Sequence, residues 1–277
     1  MIWKRLLTGA VLIPVVVAIV LWSPAELVAV LALFMTGLAL LEFFAILERA
    51  GLHAYRLWTL LSAAAIFLTQ WHAARPGQFS FGFPLRLDLV LFIFVLGLGV
   101  IVCLSRRPLK TALGDLAAGA MGLLLIALPL STSVRLVAVD VIGPKLLLFA
   151  LVVVWVGDTM AYFVGKFVGR WHMAPQLSPA KTWEGAAANL LGAVIAGVAF
   201  AGSLAIPAGH AILMAGLASV AGQIGDLLES AYKRSAGVKD SGTLLPGHGG
   251  MLDRIDALIL AAPVVWYYFS LVLGPRG

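Results

Sequence analysis

Two pairs of carboxylates near the C-terminal end of the chain have the spacing and the neighbours of a cation site. Asp226, Glu229 and Lys233 recur at helical spacing and therefore share one helix face. Asp253 and Asp256 are three residues apart and point the same way at the start of the next apolar run. Carboxylates among basic residues at this density predict a magnesium site that receives a phosphate-bearing ligand.

A glycine-rich loop separates these two pairs. Gly247, Gly249 and Gly250 let backbone amides approach phosphate oxygens closely. His248 is either a proton-transfer group or a hydrogen-bonding contact to phosphate, and the sequence leaves both open. Further candidates for catalysis or substrate contact around the loop are Ser230, Lys233, Arg234, Lys239, Asp240 and Arg254.

A third carboxylate, Asp158, lies in an otherwise apolar run, where a charge costs about 2.5 to 3.5 kcal/mol at the centre of a bilayer. Ala161, Gly165 and Gly169 follow on the same helix face at intervals of four. Such a stripe of small residues predicts close helix packing, either within the chain or in a homodimer. Lys166, at the end of the run, is a candidate phosphate contact.

A polar connection follows this run. Ser178 and Pro179 have the types found at the cap and first turn of a helix, so they predict a helix start. Lys181, Thr182 and Glu184 would then lie beside the unpaired amides of the helix N-terminus, which carry partial positive charge. We therefore expect this connection to bind an anionic substrate group.

The composition is that of a membrane protein. Of 277 residues 62% are hydrophobic and 12% charged, with a mean hydropathy of +1.03, whereas a soluble domain is about 25% charged. Because no polar linker interrupts the apolar blocks, we interpret 1–277 as one membrane domain, with N-terminal spanning helices in 1–140 and catalytic helices and loops in 141–277. The single Cys103 excludes an intramolecular disulfide and a thiolate metal cluster.

The fold class expected is an all-α, polytopic transmembrane bundle of about nine spanning helices, since a span needs about 20 mostly apolar residues. The first segment has the outline of a signal peptide, but no small-residue cleavage site follows, so we interpret it as a retained helix. The apolar segments are approximately 7–22, 26–47, 57–71, 87–104, 112–130, 146–168, 186–206, 211–232 and 255–273.

The basic residues predict the orientation, because cytoplasmic loops are enriched in lysine and arginine. With the N-terminus in the cytoplasm, 14 of the 19 basic residues lie inside. The five outside are Arg75, Arg86, Arg135, Lys145 and Arg276. The formal net charge of +6 then fits anionic lipid and nucleotide phosphate better than nucleic acid. The chain contains no Walker, Rossmann, HExxH or GxSxG motif.

The segment from Ser230 to Asp256 resembles the signature of the phosphatidate cytidylyltransferases, the CDP-diacylglycerol synthases. That signature reads S-x-x-K-R-x4-K-D-x-G-x2-L-P-x-H-G-G-x2-D-R-x-D, and every fixed position is filled. The stretches 158–162 and 178–185 are similar to two other polar blocks of that family, although Ala180 stands where a basic residue is common. The resemblance covers roughly the last 120 residues.

The resemblance implies transfer of CMP from CTP to phosphatidate with magnesium, at the cytoplasmic face of a bacterial inner membrane. We assign Asp226, Asp253 and Asp256 to one or two cations. The surrounding lysines and arginines would neutralise the nucleotide and lipid phosphates.

Two other functions remain open from the sequence. A CTP-dependent lipid kinase of the polyprenol or phytol type, or a synthase of archaeal ether lipids, would use similar groups. A proton- or cation-coupled transporter would explain Asp158 and Asp226 inside apolar helices, but no inverted repeat is visible and the charges gather at one face.

Overall fold

The computed structural model describes residues 2–76, 85–242 and 249–274. Within these ranges the chain forms nine continuous helices and one short β-hairpin. Arg276, which the charge pattern places outside, lies beyond the described residues. The helices are α1 (Ile2–Trp22), α2 (Ala25–Arg49), α3 (Arg56–Ala74), α4 (Leu87–Leu104), α5 (Leu109–Val137, with a π-helical turn at Leu123–Ala127), α6 (Gly143–Phe167), α7 (Trp183–Leu204), α8 (Ala208–Ser235) and α9 (Leu252–Leu273, π-helical from Phe269).

Each of the nine apolar segments corresponds to one of these helices, which confirms the all-α polytopic fold class. Only the segments 146–168 and 186–206 run past a helix end, by one and two residues. Seven helices are long and apolar enough to cross a membrane, so the chain is an integral membrane protein. The other two helices are α3 and α1. The apolar part of α1, Val11–Trp22, is shorter than the seven candidate spans. Nine spans and a cytoplasmic N-terminus stay predictions.

Two hydrophobic cores meet at α9. The first lies among α2 to α5 and contains Phe43 and Ile66, with Ile255 contributed by α9. The second lies among α1 and α6 to α8 and contains Phe149, with Val265 from the later part of α9. The helix that carries Asp256 is therefore packed against both halves of the chain.

The connection between α6 and α7 is a β-hairpin, so the helix start predicted at Ser178 and Pro179 is wrong. β1 (His172–Ala174) pairs antiparallel with β2 (Ser178–Thr182). Helix α7 begins at Trp183, and its cap is Thr182, whose Oγ1 accepts a hydrogen bond from the Gly185 amide at 3.2 Å. The strand pairing competes with helix formation here and moves the start of the helix by several residues.

Ala161 and Gly165 of the small-residue stripe contact α7, which confirms the predicted close packing, whereas Gly169 lies beyond the end of α6 at Phe167. A Cβ added to Gly185 would lie 3.1 Å from the Ala161 carbonyl oxygen and 3.4 Å from Gly165 Cα. A Cβ added to Gly169 would lie 2.7 Å from Thr182 Oγ1. The contact is thus internal to the chain, and it holds the hairpin against the end of α6.

We expect Thr182→Ala to lower the stability of the detergent-purified protein by about 1 kcal/mol, because the α7 cap is lost. Thr182→Ser keeps the accepting oxygen and is the matched control. Equilibrium unfolding in SDS measures both variants. Equal loss in the two would show that the methyl group, rather than the cap, stabilises this helix start.

Candidate active site

Three carboxylates from α8 and α9 converge at one end of the bundle. Single oxygens of Asp226, Glu229 and Asp256 all lie within 4.8 Å of one another. The two helices approach closely because α8 has a glycine at the crossing point. A Cβ added to Gly225 would lie 2.5 Å from the backbone oxygen of Asp256. Asp226 and Asp256 therefore lie close together, as predicted, because the backbones of α8 and α9 touch at a point where no side chain would fit.

Glu229 is the most deeply buried member of this cluster, with 2% of its side chain exposed. Its Oε2 is ion-paired with the ammonium of Lys233, one helical turn later. No hydrogen bond to its Oε1 comes from the part of the chain that the structure describes. A buried carboxylate with oxygens left over is costly unless a cation completes its surroundings.

Asp253 lies beside the cluster, and the structure does not bring it into the group of three. Its Oδ1 accepts from Lys233 Nζ at 2.6 Å. Its Oδ2 accepts from the backbone amides of Ser241 at 3.0 Å and Gly250 at 2.8 Å. Asp253 therefore fixes the end of the glycine-rich loop. The sequence predicts Glu229 on the same helix face as Asp226, without a metal role. In the structure Glu229 is the third member of the cluster.

A polar network across three helices holds the upstream carboxylate. Asn189 of α7 donates to Asp158 of α6 at 3.0 Å, and Ser219 of α8 donates to Asn189 Oδ1 at 2.7 Å. Asp158 is exposed and lines a small crevice with Gln223 and Ala257. It lies close enough to Asp226 to interact with it electrostatically. The crevice thus opens beside the three-carboxylate cluster.

The hairpin contributes one direct contact to the cluster. Lys181 Nζ lies 2.7 Å from Asp226 Oδ2, and the two side chains are 23% and 35% exposed. This lysine comes from β2, so the close packing of the hairpin against α6 and α7 determines its position. The sequence predicted a phosphate contact for Lys181, which stays a prediction, and did not indicate its ion pair with Asp226.

Two of the residues predicted to contact substrate, Glu184 and Arg234, form hydrogen bonds that hold the hairpin in place. Glu184 accepts hydrogen bonds from the backbone amides of Arg170 and Trp171 at 3.0 and 3.3 Å. Arg234 donates to the carbonyl oxygens of Leu177 and Val238 at 3.0 and 3.3 Å. In this structure these side chains link the hairpin to the ends of α6 and α8.

The remaining predicted residues differ in their exposure to solvent. Lys166 is exposed, with its ammonium 5.6 Å from the centre of the Tyr162 ring. Lys239, Asp240 and Arg254 are exposed, Ser230 is buried in α8, and Ser178 is half-buried in β2. Gly249 has a φ of +79°, which favours glycine. Gly247 and His248 lie outside the described residues.

Carboxylates outnumber their paired lysines at this site. Lys181 is ion-paired with Asp226, and Lys233 is ion-paired with Glu229 and Asp253. Asp256 completes the cluster, and Asp158 lies beside it. Hard oxygen ligands in such a group suit a divalent cation such as Mg²⁺.

Three structural residues of the site were missed by sequence reasoning. Asn189 is the sole asparagine of the chain, and an amide inside an apolar helix was the available signal. The other two are Ser241, which contacts Asp253, and Glu42, which contacts the start of α9. Glu42 and Ser241 are hydrogen-bonded to each other although they are 199 residues apart in the sequence. No local spacing relates residues so far apart.

Comparison with known proteins assigns this arrangement to a family. A model described as "Cytidylyltransferase family" matches residues 3–272. The chain belongs to the cytidylyltransferase family. This confirms the resemblance drawn from the segment after Ser230, and it extends the match to the N-terminal helices.

Several of the related proteins carry the same name. A Bacillus subtilis protein named phosphatidate cytidylyltransferase is 34% identical over 210 residues, which are 74% of this chain and 77% of that protein. Proteins of the same name from Brucella abortus and Haemophilus influenzae are 44% and 41% identical over 134 and 139 residues. The latter two matches span about half of each relative's length, 50% and 48%.

We expect Lys233→Met to lower the stability by about 3 kcal/mol, because the buried carboxylate of Glu229 loses its cation. The double variant Lys233→Met with Glu229→Gln should recover part of that loss, since only Asp253, which also accepts hydrogen bonds from two backbone amides, is then left without its cation. Lys239→Met, at an exposed lysine, is the control. SDS unfolding of the three variants measures these differences, and a double variant no more stable than Lys233→Met alone would contradict the pairing.

Proposed function

We propose that the protein transfers the cytidylyl group of CTP to phosphatidate, giving CDP-diacylglycerol and pyrophosphate. The observation that carries this proposal is the convergence of three carboxylates, Asp226, Glu229 and Asp256, beside two lysines at one end of a membrane bundle. Membership of the cytidylyltransferase family and the shared name of the relatives support the choice of substrates.

The reaction requires no activated protein nucleophile. A phosphate oxygen of phosphatidate attacks the α-phosphorus of CTP, the new P–O bond forms, and the bond from the α-phosphorus to the bridging oxygen breaks with the electron pair leaving on pyrophosphate. Because the attacking phosphate is already anionic, no side chain has to remove a proton. The work left to the protein is alignment of two polyanions and neutralisation of their charge.

The donor set fits a resident divalent cation. Glu229 has a buried oxygen without a hydrogen bond from the described part of the chain, and all three side chains offer the hard oxygen ligands that Mg²⁺ prefers. Asp226, Glu229 and Asp256 would hold the ion, with Asp253 orienting Lys233 beside them. A bound Mg²⁺ would supply neutralisation of the triphosphate charge.

The location we propose is the cytoplasmic face of a bacterial inner membrane. The cluster lies where α6 and α8 end and where α7 and α9 begin, so all four helices present the same end of the bundle. The basic residues of the connections at that end follow the enrichment typical of cytoplasmic loops. CTP, a soluble nucleotide, would reach the site from that side.

The test is incubation of purified protein with phosphatidate vesicles, Mg²⁺ and CTP labelled at either the α- or the γ-phosphate. We expect α-label in lipid and γ-label in pyrophosphate. Transfer of γ-label to lipid would instead identify a CTP-dependent lipid kinase. Parallel reactions with ATP, GTP and UTP measure base preference, and no labelled lipid from any nucleotide would reject the proposal.

We expect Asp256→Asn to lower turnover more than about 100-fold, because one charged cation ligand is lost at nearly constant volume. The variant should remain folded, with a detergent melting temperature close to that of the wild type. Asp88→Asn, at an exposed carboxylate paired with Arg86 on α4, is the matched control and should keep full activity. Near-normal turnover of Asp256→Asn would exclude a role for this carboxylate in catalysis.

A further inference from the structure

Glu42 joins the N-terminal half of the chain to the start of α9. It lies on α2, and its Oε1 accepts a hydrogen bond from the Met251 amide at 2.8 Å. Its Oε2 accepts from the Leu252 amide at 2.8 Å and from the Ser241 hydroxyl at 2.9 Å. Both carboxylate oxygens therefore bind the segment that leads into α9, where unpaired amides favour a negative charge.

Two glycines of the loop make room for this carboxylate. A Cβ added to Gly250 would lie 2.2 Å from Glu42 Oε2, and one added to Gly242 would lie 2.7 Å from Glu42 Oε1. Neither contact leaves space for a larger residue at those positions. The two described ends of the loop are thus shaped around the Glu42 side chain.

A continuous set of polar contacts leads from Glu42 into the carboxylate cluster. The Ser241 hydroxyl lies 2.9 Å from Glu42 and 3.0 Å from Asp253 Oδ2, and it can donate to either. Asp253 accepts from Lys233, which is ion-paired with Glu229. Each member has its position set by the previous one, so a displacement of Glu42 would be transmitted to the cluster.

We propose that Glu42 is a positioning residue for the cytidylyl-transfer site, fixing the start of α9 so that Asp253 and Asp256 keep their places. This inference rests on the proposed function. Glu42 lies on a helix that contributes none of the three clustered carboxylates, and it acts through Ser241 and the amides of α9. It gives the N-terminal half of the chain a part in the reaction beyond packing.

The test compares Glu42→Gln with Glu48→Gln, a control on the same helix whose carboxylate is ion-paired at the surface with Arg56. In Glu42→Gln, amide hydrogen exchange of a peptide covering 249–256 should become faster, because one accepting oxygen and the charge are lost. The kcat should fall about 10- to 100-fold, the range seen when a residue that supports a metal ligand is changed. The KM for CTP should change less than about threefold.

The melting temperature separates positioning from general destabilisation. Glu42→Gln should melt close to the wild type while exchange at 249–256 rises, and Glu48→Gln should match the wild type in exchange and kcat. Unchanged exchange in Glu42→Gln would overturn the inference, and so would faster exchange with an unaltered kcat. A wild-type protein without any transferase activity would instead reject the proposed function itself.

A second variant guards against a Glu42 variant that fails to fold. Ser241→Ala leaves α2 intact but removes the hydroxyl that links Glu42 to Asp253. We expect faster exchange at 249–256 and a lower kcat there too, about tenfold. If Ser241→Ala has the exchange rate and kcat of the wild type, the hydroxyl link between Glu42 and Asp253 does not position the start of α9.

Discussion

The convergence of carboxylates where α8 and α9 cross is the constraint on which the rest of this structure depends. Burying a carboxylate among apolar helices is expensive, and Glu229 has only 2% of its side chain exposed. Glu229 meets Asp226 and Asp256 because α8 and α9 approach at Gly225 with no intervening side chain. That contact brings oxygens of the cluster within 4.8 Å, where a bound divalent cation would lower the energy of the folded protein.

Helix α9 transmits this constraint to the whole chain. Its first turns pack against the core of α2 to α5, and its later turns pack against the core of α1 and α6 to α8. Glu42 adds a polar contact to the same helix start, since both of its oxygens bind amides at Met251 and Leu252. A shift of either half relative to the other would therefore move Asp256. The N-terminal helices and the carboxylate cluster are mechanically connected through one element.

Local periodicity predicted the helices and part of the site, because both depend on spacing within one element. Asp226 and Glu229 share a face since they are three residues apart, and the apolar segments alone locate all nine helices. Spacing was less informative where distant segments meet. It did not indicate that Glu229 joins Asp226 and Asp256, or that Asp253 accepts hydrogen bonds from Ser241 and Gly250 beside them. It placed a helix at Ser178, where strand pairing forms instead.

The two lysines of the site differ in a way that bears on the proposed reaction. Lys233 is 13% exposed and lies between Glu229 and Asp253. If its ammonium moved away, both carboxylates would lose their ion-pair partner. Lys181 is 23% exposed, comes from the hairpin, and pairs with Asp226 alone. If a divalent cation joins Asp226, the attraction between Asp226 and Lys181 weakens, and a triphosphate becomes the better partner for the ammonium. The same cation would not displace Lys233, because Lys233 would remain ion-paired with Asp253. In the proposed reaction Lys181 would bind phosphate and Lys233 would support the carboxylates, and their different burial separates these two roles.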